Sequence, residues 1–491
     1  MKSRRIIHSW LVVINSGFFL VYLVLTLSAT YEFSNFWLGI ATFGGVGLAV
    51  LHLALRYSEG QRDLLSIDKL FIASYFYFHY GYLLPYSIGA IPYEARVFWN
   101  PAMAPQAALM VTTVLAGFLL GYNLRFKNIE SESRLIFSTK PEKIHVWFFM
   151  GKLALFGGLF LILVFMFNFG IGNLISREYG FDLFYSGEFD TGLFTSGKLL
   201  LGTGAIIVAS ELWLRRRLTY SLIMSIGALV FYSFLAFVFF GVRSWLMIDV
   251  FLPLILSFHY LHKNISMRWG VAILLIFLIG SLVMEIARPA PERTLFAFQN
   301  ELSYQLATGD YTIWDITARQ YHSYTRVIQE MSLVPLEKSY QYGLTLVYGF
   351  VGSIPELGKY LIPQGYEPPE RWMASIVEPW FYSNNEGIGF SMVAEAHINF
   401  GIIGGSLFVL LLGIFSGHIW LITHKNKSFG MWLMYLVFVI NFIFGVRQTM
   451  MGFVRPLFGY LLIWTFVKIA ELILKDNQIN QQGDNKSYLI S

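Results

Sequence analysis

The chain has 491 residues, 56% of them hydrophobic and 13% charged, with no cysteine. Disulfides, thiolate nucleophiles and cysteine-bound metals are thereby excluded, and repeated apolar runs of about 20 residues, enough to cross about 30 Å of hydrocarbon, make it an all-α polytopic integral membrane protein. The formal net charge of +5 makes no case for nucleic acid, because in such a protein the placement of lysine and arginine matters more than their sum.

The basic start MKSRRIIHSW leads into an apolar stretch too long for a signal peptide, so it is read as an uncleaved first span. Apolar windows predict spans near 8–28, 36–55, 69–90, 104–122, 145–168, 194–213, 219–240, 245–262, 269–287, 400–421, 429–446 and 456–474, about twelve transmembrane helices. The expected division is therefore 1–288 (nine helices), 289–388 (one large external loop), 389–475 (three helices) and 476–491, a polar tail read as disordered. With the N-terminus inside, the inner segments hold 20 lysines and arginines and the short outer segments five, which sets both termini in the cytoplasm. Lys152, Lys198 and Lys468 fall near the ends of spans and are expected to snorkel. Asp249, inside the eighth span, requires a partner, since a lone intramembrane carboxylate is costly.

The 289–388 loop carries eleven acidic residues and many aromatics, among them Trp314, Tyr321, Tyr324, Trp372, Trp380 and Tyr382. Such rings suit a headgroup interface as well as stacking on sugars. Its eight prolines predict several short helices and turns.

Beyond the loop, GFSMVAEAHINFGIIGG (389–405) sets Glu395 and His397 at the entry of an apolar helix on the outer face. Ser391, Glu395 and Asn399 at spacing four share one helical face and His397 points away, so no simple dyad is expected unless Gly401, Gly404 and Gly405 break the helix. In GVRQTMMGFVRP, Arg447 and Arg455 have no acidic residue near in sequence and make a candidate anion site, guanidinium being well matched to phosphate oxygens. Arg243 is similarly placed after span seven, and Arg288 ends span nine with Glu285 three residues back as a ready counterion. His322 lies between Arg319 and Arg326, a further candidate phosphate contact. No HExxH, phosphate loop or dinucleotide fingerprint is present and the histidines lack ligand spacing, so no metal or cofactor is expected.

Three stretches carry a resemblance: GVRSW after a span, YQYGLTLVYGFVGSIPELGKYLIP in the loop, and FSMVAEAHINFGIIGGSLFVLLLGIFSG before the tenth span. Together they resemble the O-antigen polymerases, the oligosaccharide repeat unit polymerase family, over most of the chain by topology and over about residues 240–420 by motif. The resemblance implies a glycosyltransferase of the bacterial cytoplasmic (inner) membrane. It would polymerise undecaprenyl-pyrophosphate-linked glycan repeat units into O-antigen, capsule or exopolysaccharide at the outer face, alongside a flippase and a chain-length regulator. Glu395 is then the candidate base, with His397 and His322 as competitors, and the arginines are candidate pyrophosphate contacts. An O-antigen ligase and a lipid-linked oligosaccharide flippase or other transporter remain as alternatives.

Overall fold

The computed structural model describes residues 2–29, 35–60, 63–91, 100–125, 141–170, 192–215, 218–236, 243–262, 323–354, 357–383 and 388–487, with single positions at 265, 268, 300, 303 and 304. Every element among these is helical. In chain order, α1 is Lys2–Ser28, α2 Asn35–Ser58, α3 Ile67–Tyr75, α4 Gly81–Ser87, α5 Ala104–Arg125, α6 Pro141–Phe169, α7 Gly192–Arg215 and α8 Tyr220–Leu235. There follow α9 Arg243–Leu246, α10 Leu252–Ser257, α11 Ser323–Leu333, α12 Leu344–Gly352, α13 Leu357–Leu361, α14 Pro369–Val377, α15 Pro379–Ser383, α16 Met392–Asn426, α17 Phe429–Gly445 and α18 Met450–Ser487.

Among the described residues, seven helices are long and apolar enough to cross a membrane, and the shorter apolar helices Tyr220–Leu235, Met247–His262 and Phe429–Gly445 fall where spans are expected. The expected third span is two α-helical pieces joined by a π turn at Phe76–Tyr80. The ninth, at 269–287, lies outside the described residues. The tail differs from expectation: α18 continues to Ser487, because a polar segment without proline, propagating from a formed helix, avoids the cost of nucleation.

The bundle is organised around α5, which is apolar all round and therefore buried rather than lipid-facing, without interruption from Ala107 to Asn123. It crosses α16 closely enough that a Cβ at Gly121 would lie 2.0 Å from the Leu410 carbonyl, and one at Gly413 2.3 Å from that of Phe118. These close crossings rest on small-xxx-small pairs, GFLLG and GIFSG, which let backbones approach where no hydrophobic effect drives association. A second glycine seam joins α6 and α7, where a Cβ at Gly158 would lie 2.5 Å from the Gly197 carbonyl.

Buried charges in the bundle are paired. At one end, Asp68 Oδ2 accepts from Arg56 Nε at 3.1 Å and lies 3.1 Å from His52 Nε2, while Arg56 NH1 donates to Glu59 at 3.0 Å. Asp63 joins the same end through Tyr260 at 2.9 Å and His259 at 2.8 Å. Asp249 accepts from the Tyr232 hydroxyl at 2.7 Å and lies within electrostatic range of Lys198, whose Nζ sits 4.1 Å over the Trp245 ring. Lys152 reaches buried Glu211 at 2.9 Å. Snorkelling is therefore the wrong account of Lys152 and Lys198. Each is held by a neighbouring helix, since a cation that finds a partner inside need not reach the headgroups.

Candidate functional site

The opposite end of the bundle is built on the entry of α16. Ser391 is extended (φ −146°, ψ 135°), and its Oγ accepts from the amides of Val393 at 3.1 Å and Ala394 at 3.4 Å, the N-cap that starts the helix. His79, on the π turn, places its Nε2 2.9 Å from the same oxygen. The Phe390 and Met392 amides donate to the carbonyls of Arg447 and Val446, each at 3.2 Å. That pairing seats the α17–α18 connection beside the helix entry, so Arg447 arrives here from more than fifty residues away, its guanidinium 5.7 Å over the Phe78 ring.

One turn into α16, Glu395 is 2% exposed, and its Oε1 accepts from the Thr345 hydroxyl of α12 at 2.9 Å. Asn399 donates to Thr345 Oγ1 at 2.6 Å and to the Glu395 carbonyl at 2.7 Å, while its own Oδ1 accepts from the Gly343 amide at 2.9 Å. The face of spacing four expected from the sequence thus meets α12 through both Glu395 and Asn399.

His397 points away, as the helical spacing requires. Its Nδ1 lies 2.9 Å and 3.0 Å from the two carboxylate oxygens of Glu330 on α11, both residues being buried. Burial pushes the Glu330 carboxyl up, and His397 draws it back. Glu395 and His397 therefore work on different neighbours.

The break at Gly401 is real. Its φ of 67° and ψ of −169° belong to a region open essentially to glycine, and they interrupt α16 well inside the helix that starts at the Ser391 cap. An uninterrupted helix would satisfy the Ile398 and Asn399 carbonyls four residues on. Here they accept from the Gln341 amide at 2.8 Å and the Tyr342 amide at 3.0 Å. The kink thus creates the acceptors that fasten the loop preceding α12 to the helix carrying Glu395.

At its other end, α12 presents the Gly352 carbonyl to Arg455 NH2 at 3.2 Å, a cation at a helix C-terminus. Arg455 also lies within electrostatic range of Lys198. One nine-residue helix is therefore tied to Glu395 near its start and to Arg455 at its end.

A residue not singled out in the sequence joins this group. Glu370, in the first turn of α14, has Oε2 sealed from solvent with no hydrogen-bond partner, and burial pushes its carboxyl up to about 7. Tyr366 lies within electrostatic range of both Glu370 and Glu395, and its ring meets Tyr348 of α12 edge-on at 4.6 Å. Burial first, then these two carboxylates, push the Tyr366 hydroxyl up. The signal in the sequence, an acid just after Pro368-Pro369, is what any helix start would show, so it could not mark the residue.

The remaining candidates separate. The guanidinium of Arg326 is buried on Glu378 at 2.6 Å, Gln329 at 2.8 Å and the Ile388 carbonyl at 3.1 Å, a set of protein partners that ties α11 to the segment before α16. Arg243 opens the helix Arg243–Leu246. His322, Arg288 and Arg319 lie outside the described residues. Tyr324 donates to the Ala104 carbonyl at 2.7 Å and is fully buried, so this loop aromatic anchors the loop to α5. Among the described residues, no three His, Asp or Glu side chains converge as metal ligands.

The arrangement sets Glu395 and Arg455 at the two ends of α12, Arg447 at the entry of α16, and a second carboxyl, Glu370, titrating near neutrality on α14. That combination can accept a proton at one point and hold an anion at another. The chain matches no protein-family profile, no curated protein and no solved structure.

Proposed function

We propose that this chain is an oligosaccharide repeat unit polymerase, a glycosyltransferase that elongates glycan carried on a lipid pyrophosphate at the outer face of the bacterial cytoplasmic membrane. Twelve spans with cytoplasmic termini complete the reading. The observation that carries it is the bridge formed by α12: Thr345 holds Glu395 and the Gly352 carbonyl meets Arg455, so a candidate base and a candidate anion contact are ordered by one helix. From Thr345 to Gly352, at about 1.5 Å per residue, the two anchor points stand about 10 Å apart.

In the proposed reaction, a hydroxyl of the acceptor sugar attacks the anomeric carbon of the donor. The new C–O bond forms as the bond from that carbon to the pyrophosphate oxygen breaks. Glu395 takes the hydroxyl proton, and the electron pair leaves with the pyrophosphate, whose charge Arg447 and Arg455 stabilise. His397 is a positioning residue that holds α11 through Glu330.

The test is Glu395→Gln in cells with the rest of the pathway intact. The amide keeps size and a hydrogen bond from Thr345 but cannot take the proton, a loss of typically about 100- to 10,000-fold. Surface glycan is expected as single repeat units with the protein present at normal levels. A normal ladder of chain lengths would remove Glu395 from the chemistry. Full-length polymer left on the carrier lipid would point to a ligase, and precursor stranded at the inner face to a transporter.

A further inference from the structure

The topology expected from the sequence makes 289–388 one large external loop, yet α12 does not have the surface of a water-facing helix. Its nine residues, LTLVYGFVG, include no charge. Thr345 and Gly349 are buried against the bundle, as is Ser353 just beyond, a spacing of four that makes one face. On the opposite face Leu344 is 44% exposed, Val347 54% and Phe350 54%. Two exposed tyrosines, Tyr342 (80%) and Tyr360 (81%), flank the helix in sequence. By contrast, α11 in the same segment is polar in composition, with its Arg326 and Glu330 turned inward.

What covers the exposed face follows from where α12 is fastened. Its start is held beside Phe400, whose ring would lie 3.5 Å from a Cβ at Gly343, and its end by Arg455 in the second turn of α18. Both anchors belong to helices long and apolar enough to span a membrane, Met392–Asn426 and Gly452–Ile473, and both lie at the same end of those helices. Beyond Phe400, the exposed residues of α16 continue as Ile403, Leu407, Leu411 and Phe415, a surface of the kind that hydrocarbon covers. A nine-residue helix is about 13 Å long, too short to cross the core of about 30 Å. Lying across the mouths of two spans, it can only rest within one leaflet, and tyrosine is the ring that settles at the membrane–water boundary.

We infer that α12 is an interfacial helix whose Leu344–Val347–Phe350 face is immersed in the acyl chains of the leaflet at the Ser391 end, making bilayer lipid its partner. Its other face closes over Glu395 through Thr345, so one helix separates that carboxylate from hydrocarbon. This placement does not depend on the reaction proposed above and stands or falls on its own measurement.

The chain contains no cysteine, so single nitroxide labels can be placed without background. The purified full-length protein, reconstituted in phosphatidylcholine vesicles, is labelled at Val347→Cys, Phe350→Cys or Gln364→Cys, and collisions with oxygen and with a neutral nickel chelate are compared. Oxygen partitions into hydrocarbon and the chelate stays in water. The oxygen-to-nickel ratio at Val347→Cys and Phe350→Cys is expected to stand several-fold above that at exposed Gln364→Cys. Equal ratios at all three would place α12 in water and overturn the inference. Immobilised labels shielded from both reagents, with dipolar broadening between copies, would overturn it in favour of a second copy of the chain.

Discussion

The kink at Gly401 decides how the chain leading into α12 is fastened to the helix that carries Glu395, and Gly401→Ala tests that claim. The added methyl has room, since its nearest neighbours would be Tyr340 ring atoms at 3.5 Å, an ordinary contact. The cost is therefore in the backbone: φ of 67° with ψ of −169° is a conformation that alanine adopts at about 1–3 kcal/mol. The alternative is to straighten, which returns the Ile398 and Asn399 carbonyls to their own helix and takes the acceptors from Gln341 and Tyr342. Two such bonds, at about 0.5–1.5 kcal/mol each, bring that route to a similar total. Whichever route is cheaper, Gly401→Ala should lose about 1–3 kcal/mol. The control is Gly39→Ala inside α2, where the added carbon meets nothing within 4 Å and helix propensity alone predicts a gain of up to about 1 kcal/mol. Unfolding of the purified variants, followed by intrinsic fluorescence in one detergent, compares the two. Equal stability for Gly401→Ala and the native chain would refute the reasoning, because it would mean that residue 401 sits in an unstrained helix and that Gln341 and Tyr342 do not depend on it.

Two further predictions concern buried acids. Removing one partner of the Glu330–His397 pair leaves the other buried alone, so Glu330→Ala should cost about 3–5 kcal/mol, and Glu330→Gln distinctly less because its amide oxygen still accepts from the ring. An alanine variant with an unchanged unfolding transition would show that the pair adds nothing. Glu370 is raised in the fold from its ordinary value to about 7, so between the two values the folded protein holds a proton that the unfolded chain has released. Stability should fall as pH rises through that window and level off above it. Glu370→Gln should flatten this slope and be the more stable protein at pH above about 7, as read from unfolding temperatures at several pH values. Parallel curves for the two proteins would contradict the burial of a protonated carboxyl there.

The parts of this protein that were legible in its sequence are those set by distances along the chain. A run of about 20 apolar residues is a span wherever it occurs, because the bilayer fixes the length and the backbone must bond within the segment. Likewise, 3.6 residues per turn is enough to send Glu395 and His397 to different sides of α16, and prolines are enough to divide the described part of the loop, from Ser323 on, into short helices. Partnership across the chain was not legible. Nothing in GFSMVAEAHINF names Thr345 as the partner of Glu395 or Glu330 as that of His397, since each comes from a loop helix whose docking depends on the whole packed surface. The same limit hid the commitment of Arg326 to Glu378 and the sealing of Glu370, an acid indistinguishable in sequence from any other at a helix start. The glycines near residue 401 announced that a break was possible. Only the tertiary structure decided that it falls at Gly401, because a kinked helix survives there by giving its freed carbonyls to the chain that leads into α12.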